Sequence, residues 1–314
     1  MNSITFRRLI FLYASVIITL FFSACAATKK FEGGKAPQTL KEVLPKIGVA
    51  LGGGGARGFA QIGVLRVLEQ EKIPIDVVVG TSVGSLIGAI YADSGKVLDA
   101  EFIAISITDE DIFDYRAFAF FSGGFVKGEK LESFLNNHLR NKNIENFKVR
   151  FGAVAVDLRT GRSVIFDRGP VARAVHASCA IPGVFVPVEI GGNVFVDGGV
   201  TDPIPVDFAQ KMGAEVVIAV AIPPALPAVA PKNPIEIAFH AVTIMSSEIG
   251  VLGAKDADVV IRPDVGNVAY DDFSQKKKLI EAGEKAARDA LPAIREAIKA
   301  KTKQVPAIEE KKTK

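Results

Sequence analysis

The chain has 314 residues, of which 49% are hydrophobic and 23% charged. This length allows one large domain or two small ones with a substantial core, and the composition excludes a chain that is disordered throughout. The formal net charge of +3 falls to +1 without Arg7 and Arg8, which lie in the N-terminal segment. This balance is not typical of a nucleic-acid-binding surface, so no nucleic acid is expected as a partner.

The N-terminal segment has the layout of a secretory signal. Arg7-Arg8 precede an apolar run of 14 residues, Leu9–Phe22, which is shorter than the roughly 20 residues of a membrane-spanning helix. Ser23-Ala24 then lead to Cys25, and this junction resembles a bacterial lipobox, in which the cysteine is lipidated. We therefore expect a signal peptide over 1–24 and a lipid anchor on Cys25. A plain cleaved signal and an uncleaved anchor are the alternatives.

The same junction predicts a location and a domain plan. Ala26 after Cys25 resembles lipoproteins sorted to the outer membrane, so we expect the protein in the bacterial cell envelope, lipid-anchored and facing the periplasm. Residues 25–45 are small and polar enough for a lipidated N-terminus and tether. A single hydrolase-sized domain is predicted over 46–300, followed by a basic tail over 301–314. Cys179 has no partner for a disulfide and is predicted to be a small buried residue.

From residue 46 onward, short β-rich runs alternate with helical patterns. We predict strands at 47–51, 76–79, 151–156, 163–166, 186–190, 193–196, 216–222 and 257–261, and helices at 59–72, 83–92 and 274–300. This alternation indicates an α/β protein whose mainly parallel or mixed sheet is covered on both faces. Residues 107–128 interrupt it and are rich in phenylalanine. They form either a packed part of the core or an apolar lid beside the site.

The first candidate site is Gly80-Thr81-Ser82-Val83-Gly84, between a predicted strand and a predicted helix. In that context the pattern G-x-S-x-G is typical of a nucleophile elbow, a tight turn whose glycines let the serine hydroxyl project. The amino terminus of the following helix also favours negative charge that develops nearby. Ser82 is therefore the candidate nucleophile.

The second candidate is Gly52–Gly58, a loop that opens with four consecutive glycines. Exposed backbone amides at the start of a helix bind anions. In an oxyanion hole, such amides stabilise the negative charge that develops on oxygen in the transition state. Arg57 adds a charge that binds a phosphate or orders the loop. The loop also satisfies the dinucleotide pattern G-x-G-x-x-G. In that fold, however, the acid that binds the ribose stands at the end of the second strand, whereas Asp76 stands before its strand. Phe59 stands where a P-loop needs lysine.

The third candidate is Asp197, which ends a short apolar strand and is followed by two glycines. Alone, such an aspartate is typical of a turn. A serine hydrolase normally also uses a histidine, and the chain has His138, His176 and His240. His138 lies in a polar run, His176 precedes the acid, and His240 falls among apolar residues of a helical segment. Either Asp197 acts directly on Ser82, or His240 completes a triad.

Taken in order, 53–58, 80–84 and 197–199 resemble the three signature blocks of the patatin-like phospholipase family. The segment 177–182, Ala-Ser-Cys-Ala-Ile-Pro, resembles a further block that this family carries between nucleophile and acid. Together these blocks cover roughly residues 46–215. Their joint occurrence in order is far more specific than any one motif.

The resemblance implies a three-layer α/β/α fold and hydrolysis of lipid acyl esters by a Ser–Asp dyad, without histidine, metal or cofactor. It makes Ser82 the nucleophile and Asp197 the base. It also implies an oxyanion loop formed by Gly53, Gly54, Gly55 and Arg57.

The predicted function is a serine lipid acyl hydrolase of the phospholipase or lysophospholipase type. Its expected partners are a phospholipid or another acyl-ester lipid as substrate and the membrane through Cys25. The alternative is a non-catalytic lipid-binding or assembly protein on the same fold. A scaffold has no need of a conformationally costly glycine run, so the hydrolase is favoured.

The anchoring prediction is tested in a Gram-negative host. The mature protein should partition into detergent with an acylated Cys25, because the lipid chains outweigh a polar domain in that separation. Cys25→Ser should release the protein from membranes or leave an unprocessed precursor. An unmodified Cys25 thiol in the mature protein, found by mass spectrometry, would contradict the lipoprotein prediction.

Overall fold

The computed structural model describes residues 40–114, 124–224 and 230–306. The predicted signal peptide and Cys25 lie outside these ranges, as do Phe118, Phe120 and Phe121 of the phenylalanine-rich segment.

The described residues form ten strands and nine α-helices, together with short 3-10 turns. The strands are β1 (Leu40–Val43), β2 (Ile47–Leu51), β3 (Val77–Thr81), β4 (Arg150–Asp157), β5 (Ser163–Phe166), β6 (Val188–Ile190), β7 (Asn193–Asp197), β8 (Val216–Val220), β9 (Val259–Ile261) and β10 (Lys303–Pro306). The helices are α1 (Ala60–Gln70), α2 (Val83–Ser94), α3 (Val97–Ser106), α4 (Asp109–Ile112), α5 (Glu129–His138), α6 (Val171–Ser178), α7 (Val206–Lys211), α8 (Pro234–Gly253) and α9 (Lys276–Lys301).

Eight strands form one mixed sheet, with neighbours in the order β6-β7-β4-β3-β2-β8-β9 and β5 along β4. The strands β2, β3, β4, β8 and β9 are parallel, whereas β5, β6 and β7 pair antiparallel to their neighbours. The predicted mixed α/β sheet is therefore confirmed. A separate two-stranded sheet pairs β1 with β10, which lie in the predicted tether and the predicted tail.

The two faces of the sheet pack two apolar cores, because successive strand residues point to opposite sides. Val49 and Val78 belong to the larger core, which α1, α2 and α9 cover. Ala50 and Val79 belong to the smaller core, which α7 covers. Helices on both faces give the three layers that the family resemblance implies.

The phenylalanine-rich segment enters the core at its amino-terminal end. Phe113 is buried and packs its ring 5.8 Å from Phe185 and 6.2 Å from Phe273. Phe125, at the other end, is 39% exposed. The core alternative therefore holds for Phe113, and the lid alternative concerns residues outside the described ranges.

Candidate active site

Ser82 lies at a strained turn between β3 and α2. Its backbone adopts φ 55° and ψ −129°, a region that residues other than glycine rarely occupy. The flanking glycines are required sterically: a Cβ on Gly80 would lie 2.2 Å from the Gly84 carbonyl oxygen, and one on Gly84 would lie 2.1 Å from the Leu51 oxygen. An elbow of this kind, at the carboxyl end of a sheet strand, is the arrangement of hydrolases that use a serine nucleophile.

Ser178 holds this turn in place, and sequence analysis gave it no role. Its hydroxyl donates to the Val154 carbonyl at 2.6 Å and accepts the Ser82 amide at 3.0 Å. Ser178 is fully buried, so the hydroxyl is committed to these two partners. The sequence contained one signal for it, the serine within the family-like block 177–182.

Strand pairing brings Ser82 and Asp197 together across 115 residues of chain. Thr81 at the end of β3 lies opposite Val154, and Asp197 at the end of β7 lies opposite Ala155, the next residue of β4. The turn after Asp197 is correspondingly tight. A Cβ on Gly198 would lie 2.4 Å from the Val154 carbonyl oxygen.

The two carboxylate oxygens of Asp197 have different surroundings. Oδ1 accepts the Gly199 amide at 2.7 Å, so the side chain caps the short 3-10 turn that follows. Oδ2 is buried and accepts no hydrogen bond of standard geometry from the described residues. Burial raises the pKa of Asp197 to about 6. Hydrogen bonding by the Ser82 hydroxyl and the Gly199 amide lowers the pKa but only partly offsets the effect of burial.

The glycine loop approaches Ser82 closely, and its amides have different tasks. A Cβ on Gly53 would contact the Ser82 Cβ at 3.4 Å. The Gly53 amide donates to the Pro203 carbonyl at 3.0 Å and so fixes the loop. The Gly54 and Gly55 amides donate to no acceptor among the described residues, and Gly55 has φ 59°. Of the three predicted glycines, these two present free donors.

Arg57 orders this loop from the inside. Its side chain is buried at 6% exposure, with Nε donating to the Gly54 carbonyl at 3.1 Å and Nη1 to the Pro223 carbonyl at 2.5 Å. Burial lowers the pKa of the guanidinium. Of the two roles considered for Arg57, the geometry supports loop ordering, because its donors point at backbone carbonyls.

None of the three histidines forms a hydrogen bond with Ser82 or Asp197, and all three lie in the described ranges. His138 Nδ1 contacts the Phe134 carbonyl oxygen at 2.9 Å. His176 Nδ1 contacts Glu132 at 2.5 Å, and its buried Nε2 has no hydrogen-bond partner among the described residues. His240 lies on α8, half-buried.

Two secondary expectations are also decided by position. Asp76 Oδ2 accepts the Ile47 amide at 2.7 Å, at the amino ends of the parallel strands. The glycine loop follows their carboxyl ends, so Asp76 cannot reach a ribose there, and the dinucleotide alternative fails. Cys179 is a buried free thiol, as predicted. Burial is the main cause that raises its pKa, and the negative charge of Asp197 raises it further.

Comparison with known proteins agrees with this architecture. The model of the patatin-like phospholipase family matches residues 49–209. An uncharacterised NTE family protein of Mycobacterium bovis is 35% identical over 178 residues, covering 57% of this chain and 49% of that protein. A lysophospholipase NTE1 of Phaeosphaeria nodorum is 34% identical over 177 residues, covering 55% of this chain and 12% of that protein.

Among solved structures, VipD from Legionella pneumophila superposes with a TM-score of 0.51 at 13% identity, covering 87% of this chain and 70% of VipD. This likeness shows a shared fold. The family match extends over half of the chain, so the chain belongs to the patatin-like phospholipase family. The family is described as patatin-like phospholipases, which are lipid ester hydrolases. The aligned part spans about half the length of the mycobacterial relative and a small fraction of the fungal one.

The role of Ser178 is tested by Ser178→Ala. The change leaves the buried Ser82 amide without an acceptor, which costs about 1–3 kcal/mol and loosens the turn. We expect the protein to stay folded while the rate at which a fluorophosphonate labels Ser82 falls about tenfold to a hundredfold.

Ser133→Ala is the matched control, because Ser133 is exposed on α5 and, among the described residues, its hydroxyl bonds the Glu129 carbonyl of its own helix. It should label at the unaltered rate. Equal labelling of Ser178→Ala and Ser133→Ala would show that Ser178 does not position the nucleophile.

Proposed function

We propose that this chain is a serine lipid acyl hydrolase in which Ser82 is the nucleophile and Asp197 the general base. The observation that carries the proposal is a serine in strained conformation beside a buried carboxylate: the Ser82 hydroxyl lowers the pKa of Asp197, and Oδ2 accepts no hydrogen bond of standard geometry from the described residues. No histidine is hydrogen-bonded to either group. A dyad accounts for this arrangement without rearrangement of α8, whereas a triad through His240 would require it.

In the first step, Asp197 Oδ2 takes the proton of the Ser82 hydroxyl while Oγ attacks the acyl carbonyl carbon. The carbonyl π electrons move onto oxygen, and the resulting oxyanion is bound by the Gly54 and Gly55 amides. Collapse expels the alcohol of the ester, which receives the proton from Asp197 and leaves Ser82 acylated. A water molecule then attacks the acyl-enzyme by the same sequence, which releases the fatty acid.

The surroundings of Asp197 favour this chemistry. A carboxylate with a pKa near 4 is a weak base for an alcohol, and burial brings the Asp197 pKa to about 6, closer to the working pH. Because the base remains modest, preorganised amides must supply a large share of the rate, at roughly 3–4 kcal/mol for each oxyanion donor. Arg57 serves this step indirectly by fixing the Gly54 carbonyl, and with it the orientation of the peptide.

The substrate we propose is a membrane acyl ester, either a phospholipid or a lysophospholipid. Support comes from the family description and from the name of the fungal lysophospholipase, which matches this domain. We further propose that the mature chain begins at Cys25 and is lipid-anchored in the outer membrane, facing the periplasm. The lipobox-like sequence around Cys25 supports the anchor, and the anchor would keep the enzyme beside its substrate.

The dyad is tested by three substitutions. Ser82→Ala and Asp197→Asn should each lower the hydrolysis of a short soluble ester to background while the circular dichroism spectrum is retained, because each removes one partner of the proton transfer. His240→Ala is the matched control on α8 and should keep most of the activity per folded molecule. A folded His240→Ala protein as inactive as Ser82→Ala would overturn the dyad in favour of a triad.

The titration of Asp197 gives a second test, with opposite signs for activity and stability. Activity requires the carboxylate, so kcat/KM should rise as the pH increases through about 6. Asp202, whose pKa burial and Asp207 raise to about 7, is the control. Asp202→Asn should leave the limb near pH 6 in place. If the limb near pH 6 disappears in Asp202→Asn, the titrating group is Asp202, and its assignment to Asp197 is wrong.

Stability follows from the same shift. The folded pKa lies above the ordinary 3.8, so the folded state loses stability as the pH rises from about 4 to about 6 and the buried carboxylate ionises. Asp197→Asn should therefore be more stable than the unsubstituted protein by about 3 kcal/mol at pH 7 and equal to it below about pH 4. Urea unfolding at the two pH values measures the difference. A less stable variant at pH 7 would contradict the proposed cost of burial.

A further inference from the structure

Helix α8 is apolar on the side that faces solvent. By length and composition, the segment Glu236–Asp256 could cross a membrane: an 18-residue window within it has a mean hydropathy of 1.4, yet only 11% of that window is buried. The large exposed side chains are Ile237, Ile244, Met245, Ile249, Val251 and Leu252, with exposures of 36% to 60%. They share one side of the helix, which we call the α8 stripe. A helix that is apolar all round is normally covered by protein or by lipid.

The inner side of α8 touches both halves of the active site. Near its amino end, the Phe239 ring lies 5.6 Å from the Tyr270 ring, and the Tyr270 carbonyl accepts the Ala56 amide of the glycine loop. Further along, a Cβ on Gly199 would lie 3.7 Å from the Ser246 hydroxyl, beside Asp197. The α8 stripe lies on the opposite side of this helix, so one helix carries the stripe and contacts both halves of the active site.

We infer that the α8 stripe docks on the surface of a lipid bilayer and holds the active site against it. This inference rests on the proposed function, because it names the surface from which the substrate is taken. The occupant is lipid rather than a second copy of the chain, since the helix that carries the stripe packs on its inner side against the loops of a site proposed to take lipid esters. The chain outside the described residues also favours lipid: Leu40 comes 15 positions after Cys25, so an anchored chain is held within about 50 Å of the bilayer.

The charges on α8 favour docking in the plane of the interface over spanning. Lys232 before the helix and Lys255 after it are exposed and suited to anionic headgroups, beside the exposed acids Glu236 and Asp256. Glu248 lies within the stripe and is also exposed, so its carboxylate must stay at headgroup depth. The inner side is packed against the catalytic loops. The apolar side chains would enter about 5–10 Å, as in other interfacial helices.

The test places a fluorophore on the stripe. Met245→Cys introduces an exposed thiol, while Cys179 is buried and Cys25 is acylated under the proposed function. The control is Phe102→Cys on α3, because Phe102 is 77% exposed and α3 packs on the larger core, whereas α8 contacts Ile204 beside the smaller core. Full-length proteins are reconstituted in vesicles of phosphatidylethanolamine and phosphatidylglycerol with brominated acyl chains, which quench fluorophores that reach them.

Docking predicts that the fluorescence at position 245 falls at least about twofold on brominated relative to unbrominated vesicles, while that at position 102 is unchanged. Equal values at the two positions, or no quenching at 245, would overturn the inference. So would a fluorescence change at 245 that depends on protein concentration without vesicles, because a second copy would then cover the stripe.

A kinetic arm uses Met245→Glu with Leu252→Glu. This pair should lower the hydrolysis of vesicle lipid about tenfold relative to a short soluble ester, since two apolar contacts with lipid are replaced by charges. Leu98→Glu with Phe102→Glu is the matched pair on α3 and should leave that ratio unchanged. Equal ratios for the two pairs would contradict docking through α8.

The design separates this inference from the proposed function. Ser82→Ala carries no activity under the proposal, yet it should show the same quenching at position 245. Labelling of the protein without an introduced cysteine would reveal a free Cys25, which is a failure of the anchor. Quenching without hydrolysis in the protein that retains Ser82 and Asp197 would support the docking and refute the catalytic assignment.

Discussion

The pairing of β4 with both β3 and β7 is the constraint on which the site depends. Thr81 lies opposite Val154 and Asp197 opposite Ala155, so two segments far apart in sequence end at adjacent residues of one strand. The Val154 carbonyl also accepts the Ser178 hydroxyl, which in turn accepts the Ser82 amide. A shift of register by one residue would separate the pair and turn side chains to the wrong face. The geometry of the nucleophile is therefore a property of the sheet.

Close approach of backbones explains why glycines surround this centre. Gly80, Gly84 and Gly198 each leave less than 2.5 Å between a hypothetical Cβ and a backbone oxygen, so a side chain at any of them would push the elbow away from Asp197. The compact packing also removes water from the carboxylate, which raises the pKa of Asp197. Burying the ionised carboxylate lowers the free energy of unfolding, and such perturbed groups are common at catalytic sites.

In the described part of the chain, the candidate catalytic pair is buried beside the apolar helix α8, and this position governs how a lipid reaches it. Ser82 and Asp197 are 8% and 5% exposed, so a substrate must enter past the loops that α8 contacts. Two surface clefts in the described part of the chain, one lined by residues between Val260 and Ala290 and one by residues between Ser274 and Glu281, contain neither residue. If α8 lies on a bilayer, lipid can reach the loops from the side where it is already concentrated. The exposed apolar side of α8 would then bring the active site to the membrane that contains its substrate.

The sequence by itself determined the alternation of strands and helices, the elbow at Ser82 and the family, because periodicity and motif spacing are local properties. Predicted strands such as 47–51 and 193–196 are confirmed within a residue. The roles of individual glycines, the inward orientation of Arg57 and the bridge through Ser178 required the tertiary structure, since each depends on acceptors contributed by distant segments. The strands β1 and β10 were missed for the same reason: their pairing joins the two ends of the described chain, and no local pattern records it.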